Sequence, residues 1–210
     1  MVKTTFHTYL FFIALIALLF HSCTIRVDEP TIGNISVIDN GEYEYKPPKP
    51  KSVTKKSKRE EVIKVYNSYV GVREKTGKND GKEVEEFLRS VNLGPGYAWC
   101  AAYVHFCLDK AGVENNITAW SPTAENKKNF KYRNGKIIKQ PERADVFTLY
   151  YPRLKRIGHT GFFDGFLNES MIITNEGNTN MKGSNEGDGV YKMFRPLSTI
   201  HSITDHINEN

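Results

Sequence analysis

The hydrophobic period of this chain changes once, near Pro122, and that change limits the folds open to it. Before it, apolar residues recur at helical spacing. Val62, Val65, Tyr66 and Tyr69 form one stripe, and Val84, Phe87, Leu88 and Val91 form a second. A third helix is predicted from about Ala98, with Ala101, Val104, Leu108 and Ala111 facing inward and Gly112 just past its end. Asp80-Gly81-Lys82-Glu83 reads as a capping box, Asp80 accepting and Glu83 reaching back. After Pro122 the period becomes two. Residues 145–151, 158–166, 170–178 and 189–195 read as strands, the middle two as a hairpin around Asn168-Glu169. Helices first and an antiparallel sheet afterwards make an α+β domain with N-terminal helices packed on the sheet.

The N-terminal part reads differently. Lys3 precedes 11 consecutive apolar residues at 10–20. That is short of the roughly 20 needed to span a bilayer and fits a signal-peptide core. Ser22 and Cys23 follow, which resembles a bacterial lipoprotein signal in which the cysteine is lipidated. Residues 1–22 are therefore expected to be a signal peptide. Cys23 is expected to anchor the exported chain to a membrane, facing the periplasm or the cell surface. Ordinary secretion, with Cys23 an incidental thiol, is the alternative. Residues 23–59 read as a flexible Pro/Lys-rich tether, with seven basic and no acidic residues between 46 and 59. Residues 60–210 form the folded domain. It carries 20 basic against 19 acidic residues, which argues against a dedicated nucleic-acid surface. A monomer is expected.

Few residues in this domain can do chemistry. Cys100 and Cys107 lie seven apart on one helix, so their Cα atoms are about 10 Å apart. That exceeds the roughly 4.4–6.8 Å of a disulfide, so both are free thiols. Cys107, on an apolar face in mid-helix, reads as core. Cys100 falls in the first turn, where unpaired N–H groups and the helix dipole favour a thiolate. The same N–H groups can hold an oxyanion. From position alone, Cys100 is either a nucleophile or another small buried cysteine.

The hairpin supplies a partner. A register centred between Asn168 and Glu169 sets His159 opposite Asn178 and Gly161 opposite Glu176, all on one face. Asn178 then reaches the imidazole directly, and Glu176 reaches it diagonally over a glycine. An odd loop would break this arrangement. An imidazole oriented by a carboxylate or amide is what a cysteine nucleophile requires. Tyr97, Trp99 and Trp120 are candidates for lining a substrate groove, with core packing as the alternative for each. His201 and His206 read as exposed tail residues.

Three blocks carry a resemblance: Tyr97-Ala98-Trp99-Cys100-Ala101-Ala102-Tyr103-Val104, Gly158-His159-Thr160-Gly161 and Glu176-Gly177-Asn178-Thr179-Asn180. They resemble the signature blocks of CHAP domains, cysteine- and histidine-dependent amidohydrolases or peptidases that cut peptidoglycan on a papain-like fold. The resemblance implies that Cys100 is the nucleophile, His159 the general base, and Glu176 and Asn178 the groups that orient and polarise it. It implies peptidoglycan as substrate and no metal or other cofactor. The basic segment 152–157 before the histidine departs from the family pattern. NlpC-type peptidases share the order of cysteine and histidine but usually add a second histidine, and none occurs between 159 and 201.

Overall fold

A computed structural model of the protein describes residues 34–37, 43–46, 55–181 and 187–207. Residues 1–22 and Cys23, the expected signal peptide and lipidation site, lie outside them. No helix among the described residues is long and apolar enough to cross a membrane. The chain divides into two units, residues 1–51 and 52–210.

In the first unit, β1 (Asn34–Val37) and β2 (Tyr43–Lys46) pair antiparallel, Asn34 opposite Lys46 and Val37 opposite Tyr43. The sequence reading places both inside a tether without structure. A turn-prone Asn40-Gly41 pair lies between the two strands in the sequence.

The second unit starts with α1 (Lys55–Ser68), five residues ahead of the expected boundary at 60. Arg59 accounts for the shift. Instead of extending a repulsive basic run, it is buried, and it donates to Asp145 Oδ1 at 2.9 Å and Asp205 Oδ1 at 3.1 Å. Next come α2 (Lys82–Ser90) and α3 (Cys100–Lys110). The capping box does not form. Asp80 turns back to accept from the Thr76 N–H at 2.9 Å and hydroxyl at 2.8 Å, and Glu85 accepts the Gly81 N–H at 3.3 Å. The end of α3 follows expectation. Gly112, at φ 71°, donates to Asp109 O at 2.8 Å, and Val113 donates to Leu108 O at 2.9 Å, the paired bonds of a Schellman cap.

Seven strands form one antiparallel sheet: β3 (Phe130–Arg133), β4 (Lys136–Ile137), β5 (Val146–Tyr151), β6 (Arg156–Phe166), β7 (Met171–Thr179), β8 (Gly189–Pro196) and β9 (Ser202–Thr204). Their order is β4-β3-β9-β5-β6-β7-β8. α3 packs on β6 and β7, α1 packs on α3 and reaches the sheet through Tyr66 stacked on Phe162, and α2 packs on α3. Phe87 centres the core between them, with ring centroids of Tyr69, Trp99, Tyr103 and Phe106 at 5.2, 5.6, 5.2 and 5.0 Å. A second cluster, including Phe147, Phe163, Ile172 and Ile203, lies apart from it. The C-terminal residues are not a tail. β9 inserts between β3 and β5, and buried His206 bonds through Nε2 to Ala124 O at 3.0 Å. Buried Ile200, Ile203 and Ile207 hold this segment down. His201 stays partly exposed against the Tyr150 ring.

The β6–β7 hairpin fixes the site. Near its turn Phe166 faces Ile172 and Gly165 faces Ile173. Beyond Asp164 the register shifts by one, and Phe163 faces Thr174 and Phe162 faces Asn175. The turn alone therefore gives the odd register that would separate His159 from Glu176. An unpaired residue, Asp164, restores the register that brings them to one face.

Candidate active site

Cys100 is the first residue of α3, behind an N-cap (Trp99) that makes no side-chain cap bond. Tyr103 N–H is the first in the helix to reach back, to Trp99 O at 2.9 Å. The N–H groups of Cys100, Ala101 and Ala102 precede the intrahelical ladder and face the mouth of the helix. The sulfur lies 3.5 Å from the Ser121 hydroxyl, on a short 3-10 turn at Ser121–Ala124. Across from it, β6 presents His159, whose Nε2 is 2.8 Å from Glu176 Oε2 on β7. With Nε2 given to the carboxylate, Nδ1 is the ring nitrogen left to meet the sulfur. Cys100 and His159 remain 4% and 6% exposed, and Glu176 is fully enclosed.

Gly161 makes the carboxylate–imidazole contact possible. A Cβ there would stand 2.7 Å from Asn175 O and 3.1 Å from Glu176 Cγ, so any larger residue would displace the glutamate. Gly177 does the same for the helix, since a Cβ would stand 2.7 Å from the rings of Trp99 and Tyr103.

The electrostatics favour an ion pair. Burial raises the Cys100 thiol, but the hydrogen bond and charge of His159, the Ser121 hydroxyl and the Thr160 backbone N–H outweigh it and bring it below its ordinary value. Burial pulls His159 down, yet the Cys100 sulfur and Glu176 raise it to about 9. Glu176 is pushed up by burial but held down to about 2 by Arg195 and His159. Both shifts move the proton from the sulfur toward the imidazole. Cys107 is its opposite: burial drives its thiol far up, and nothing comparable offsets it.

Asn178 is in the neighbourhood but does not hold the imidazole. A second register shift, between Glu176 and Thr179, puts it at φ 53°. Its Oδ1 accepts the Trp99 N–H at 3.0 Å, and its Nδ2 donates to Asn79 Oδ1 at 3.2 Å. Asn178 therefore positions the start of α3. For Trp99 the alternative of core packing holds, and it does not line a groove. It is fully buried, and its indole N–H donates to Glu74 Oε1 at 2.9 Å. Tyr97 and Trp120 are 57% and 53% exposed, and the Arg156 guanidinium stacks 4.0 Å from the Trp120 ring. Among the described residues, no group of three or more His, Cys, Asp or Glu side chains could hold a metal ion.

The sequence reading missed four participants. Ser121 touches the sulfur. Thr174 donates its hydroxyl to Glu176 Oε1. Arg195 forms a two-pronged pair with the same carboxylate. Tyr151 lies close enough for its phenol to feel Arg195, Cys100 and Glu176. Thr174 had a readable signal, lying two residues before Glu176 and therefore on the same face of β7. The others depend on contacts distant in sequence.

A search of curated proteins finds no match to the chain. Among solved structures, a variant of the resuscitation promoting factor interacting protein RipA aligns with a TM-score of 0.45 and 13% identity, over 84% of this chain and 72% of that one. The peptidoglycan hydrolase RipB from Mycobacterium tuberculosis aligns with a TM-score of 0.43 and 16% identity, over 77% and 70%. Residues 92–178, from the turn before α3 into the last residues of β7, match the family model of the CHAP domain.

Proposed function

We propose that this protein is a cysteine-dependent peptidoglycan hydrolase that cleaves an amide bond of the wall peptide. The observation that carries this reading is the line from Cys100 through His159 to Glu176, with His159 Nε2 and Glu176 Oε2 2.8 Å apart and the sulfur at the mouth of α3. His159 takes the thiol proton, and the sulfur attacks the amide carbonyl carbon. The free N–H groups at the start of α3 receive the oxyanion. When the tetrahedral intermediate collapses, the imidazolium passes its proton to the leaving amine. Water, deprotonated by His159, then attacks the thioester and releases the carboxylate, restoring the thiol. Glu176 keeps the ring oriented and stabilises its charged form. Tyr97 and Trp120, exposed beside these elements, supply apolar surface for the substrate.

The scissile bond is either the sugar–peptide amide or a bond within the stem or cross-bridge. The protein is exported and tethered to a membrane through a lipid on Cys23. The N-terminal pattern, Lys3, the apolar run and Ser22-Cys23, supports this placement.

Mass spectrometry of purified sacculi digested by the chain from residue 24 onward, with Cys100→Ala as control, tests the activity. Soluble muropeptides should appear with the unmodified chain and vanish with the control. A new N-terminal amine within a stem or bridge indicates an endopeptidase, and free stem peptide beginning with alanine indicates an amidase. Cys100 should alkylate far faster than Cys107. Retained binding to sacculi with no release by either protein would leave a wall-binding module in place of an enzyme.

A further inference from the structure

Glu176 accepts more than the imidazole. On β8, Arg195 donates from Nε to Oε1 and from Nη2 to Oε2, each at 2.5 Å, a two-pronged grip on a fully buried carboxylate. Thr174 completes the set from β7, and His159 takes what remains of Oε2. The carboxylate thus has a partner in every direction and no freedom to rotate. Lysine cannot reproduce this geometry, because an ammonium is a point charge and not a planar fork.

We propose that Arg195 is a positioning residue of this site, which locks the Glu176 carboxylate behind His159 and sets the pH at which the thiol proton passes to the imidazole. The proposal rests on the reading of Cys100 and His159 as a reactive couple. Several groups face that couple and its carboxylate: Cys100 from α3, His159 from β6, Thr174 and Glu176 from β7, Arg195 from β8, the Tyr151 phenol at the end of β5, and the Ser121 hydroxyl. Among these described residues, Arg195 supplies the fixed positive charge. A cation beside Glu176 has two effects. It keeps the buried carboxylate ionised, so that His159 has an anion to lean on. It also lowers the pH needed to deprotonate every neighbouring group, the thiol included.

The test is the pH dependence of Cys100 alkylation by iodoacetamide, read beside sacculus hydrolysis, in Arg195→Lys, Arg195→Met and Arg195→Gln. Alkylation reports thiolate whether or not the substrate has been identified correctly. In Arg195→Met and Arg195→Gln the midpoint of alkylation should move to higher pH by about one unit. In Arg195→Lys the midpoint should stay near that of the parent while hydrolysis falls about 10-fold, since the charge remains and the fork is lost. Arg195→Gln covers the case in which Arg195→Met does not fold, as judged by circular dichroism. A neutral variant with an unmoved midpoint, or a lysine variant that moves as far as the neutral ones, overturns the proposal. A parent protein in which Cys100 alkylates no faster than Cys107 overturns the reactive couple itself.

Discussion

Tyr66 on α1 donates its hydroxyl to Asp164 Oδ1 at 2.5 Å, at the position where β6 carries one residue more than β7. Arg143 grips the same oxygen from Nε at 2.9 Å and Nη2 at 2.7 Å, and Lys192 on β8 takes Oδ2. Side chains from α1, β8 and the turn before β5 thus converge on the unpaired residue of the hairpin. They hold the bulge, and the bulge sets the register of His159 against Glu176.

Asp164→Ala should therefore damage both stability and the site. It strands the Tyr66 hydroxyl, a buried donor, and removes the anchor of the bulge. A loss of about 2–3 kcal/mol is expected in urea unfolding, most of it from the buried hydroxyl, since Arg143 and Lys192 are partly solvated. Hydrolysis in the protein that remains folded should fall at least tenfold as the strands sample the odd register. A variant of parental stability would show that the bulge is held by the backbone alone.

Asn178 and Arg195 should separate experimentally, because they act on opposite partners. Asn178 holds the Trp99 N–H and so the first turn of α3, while its amide is occupied away from the imidazole. Asn178→Ala should lower hydrolysis by about 10–100-fold through misplacement of the sulfur and its N–H groups. The pH midpoint of Cys100 alkylation should stay put. A displaced midpoint would return Asn178 to the role of polarising His159 that its spacing suggested.

The acid limb of stability offers a third check. Glu176 is held down to about 2 in the folded protein, against an ordinary glutamate value near 4.5. A depressed carboxylate contributes stability above its unfolded value, and that contribution is lost as the pH falls through the folded one. Unfolding free energy should thus drop between pH 4.5 and 2, by on the order of 2 kcal/mol for this group. Glu176→Gln should lack that part of the slope. Equal slopes in the two proteins would mean that the carboxylate is not held by Arg195 and His159 in solution.

The legible parts of this protein were those decided by neighbours in the sequence. The stripes of α2 and α3, the glycine that ends α3, the cysteine at its start and the glycine that lets Glu176 reach across all follow from local spacing. Long-range partners decided what was misread. Arg59 looks like one more linker charge until Asp145 and Asp205 surround it. Trp99 looks like a groove aromatic until Glu74 takes its N–H. The three residues of β9 have no strand signal of their own and owe their conformation to pairing with β3 on one side and β5 on the other. The facing of His159 and Glu176 was anticipated through a regular even turn, whereas an odd register and a bulge at Asp164 produce it together. The β1–β2 hairpin was readable from Asn40-Gly41, but the prolines and lysines that follow dominated the reading.

The basic departure before the histidine gains a structural role through Arg156. Its guanidinium lies 4.0 Å from the Trp120 ring, one residue before the serine that touches the Cys100 sulfur. Arg156 itself stands three residues before His159 on β6. The stacked pair therefore joins the element beside the sulfur to the strand that carries His159. A partly solvated cation–π contact contributes about 0.5–1 kcal/mol, enough to bias the position of the Trp120 ring but not to lock it. Trp120→Ala should expose the sulfur and speed alkylation of Cys100 several-fold at fixed pH, with the midpoint unchanged. Hydrolysis of sacculi should fall in the same variant, since the apolar surface proposed for the substrate is lost. Arg156→Ala, which frees the ring without removing it, should speed alkylation while sparing most of the hydrolysis. If both variants alkylate at the parental rate, the stacked pair does not restrict access to Cys100, and the segment 152–157 is then only an external loop.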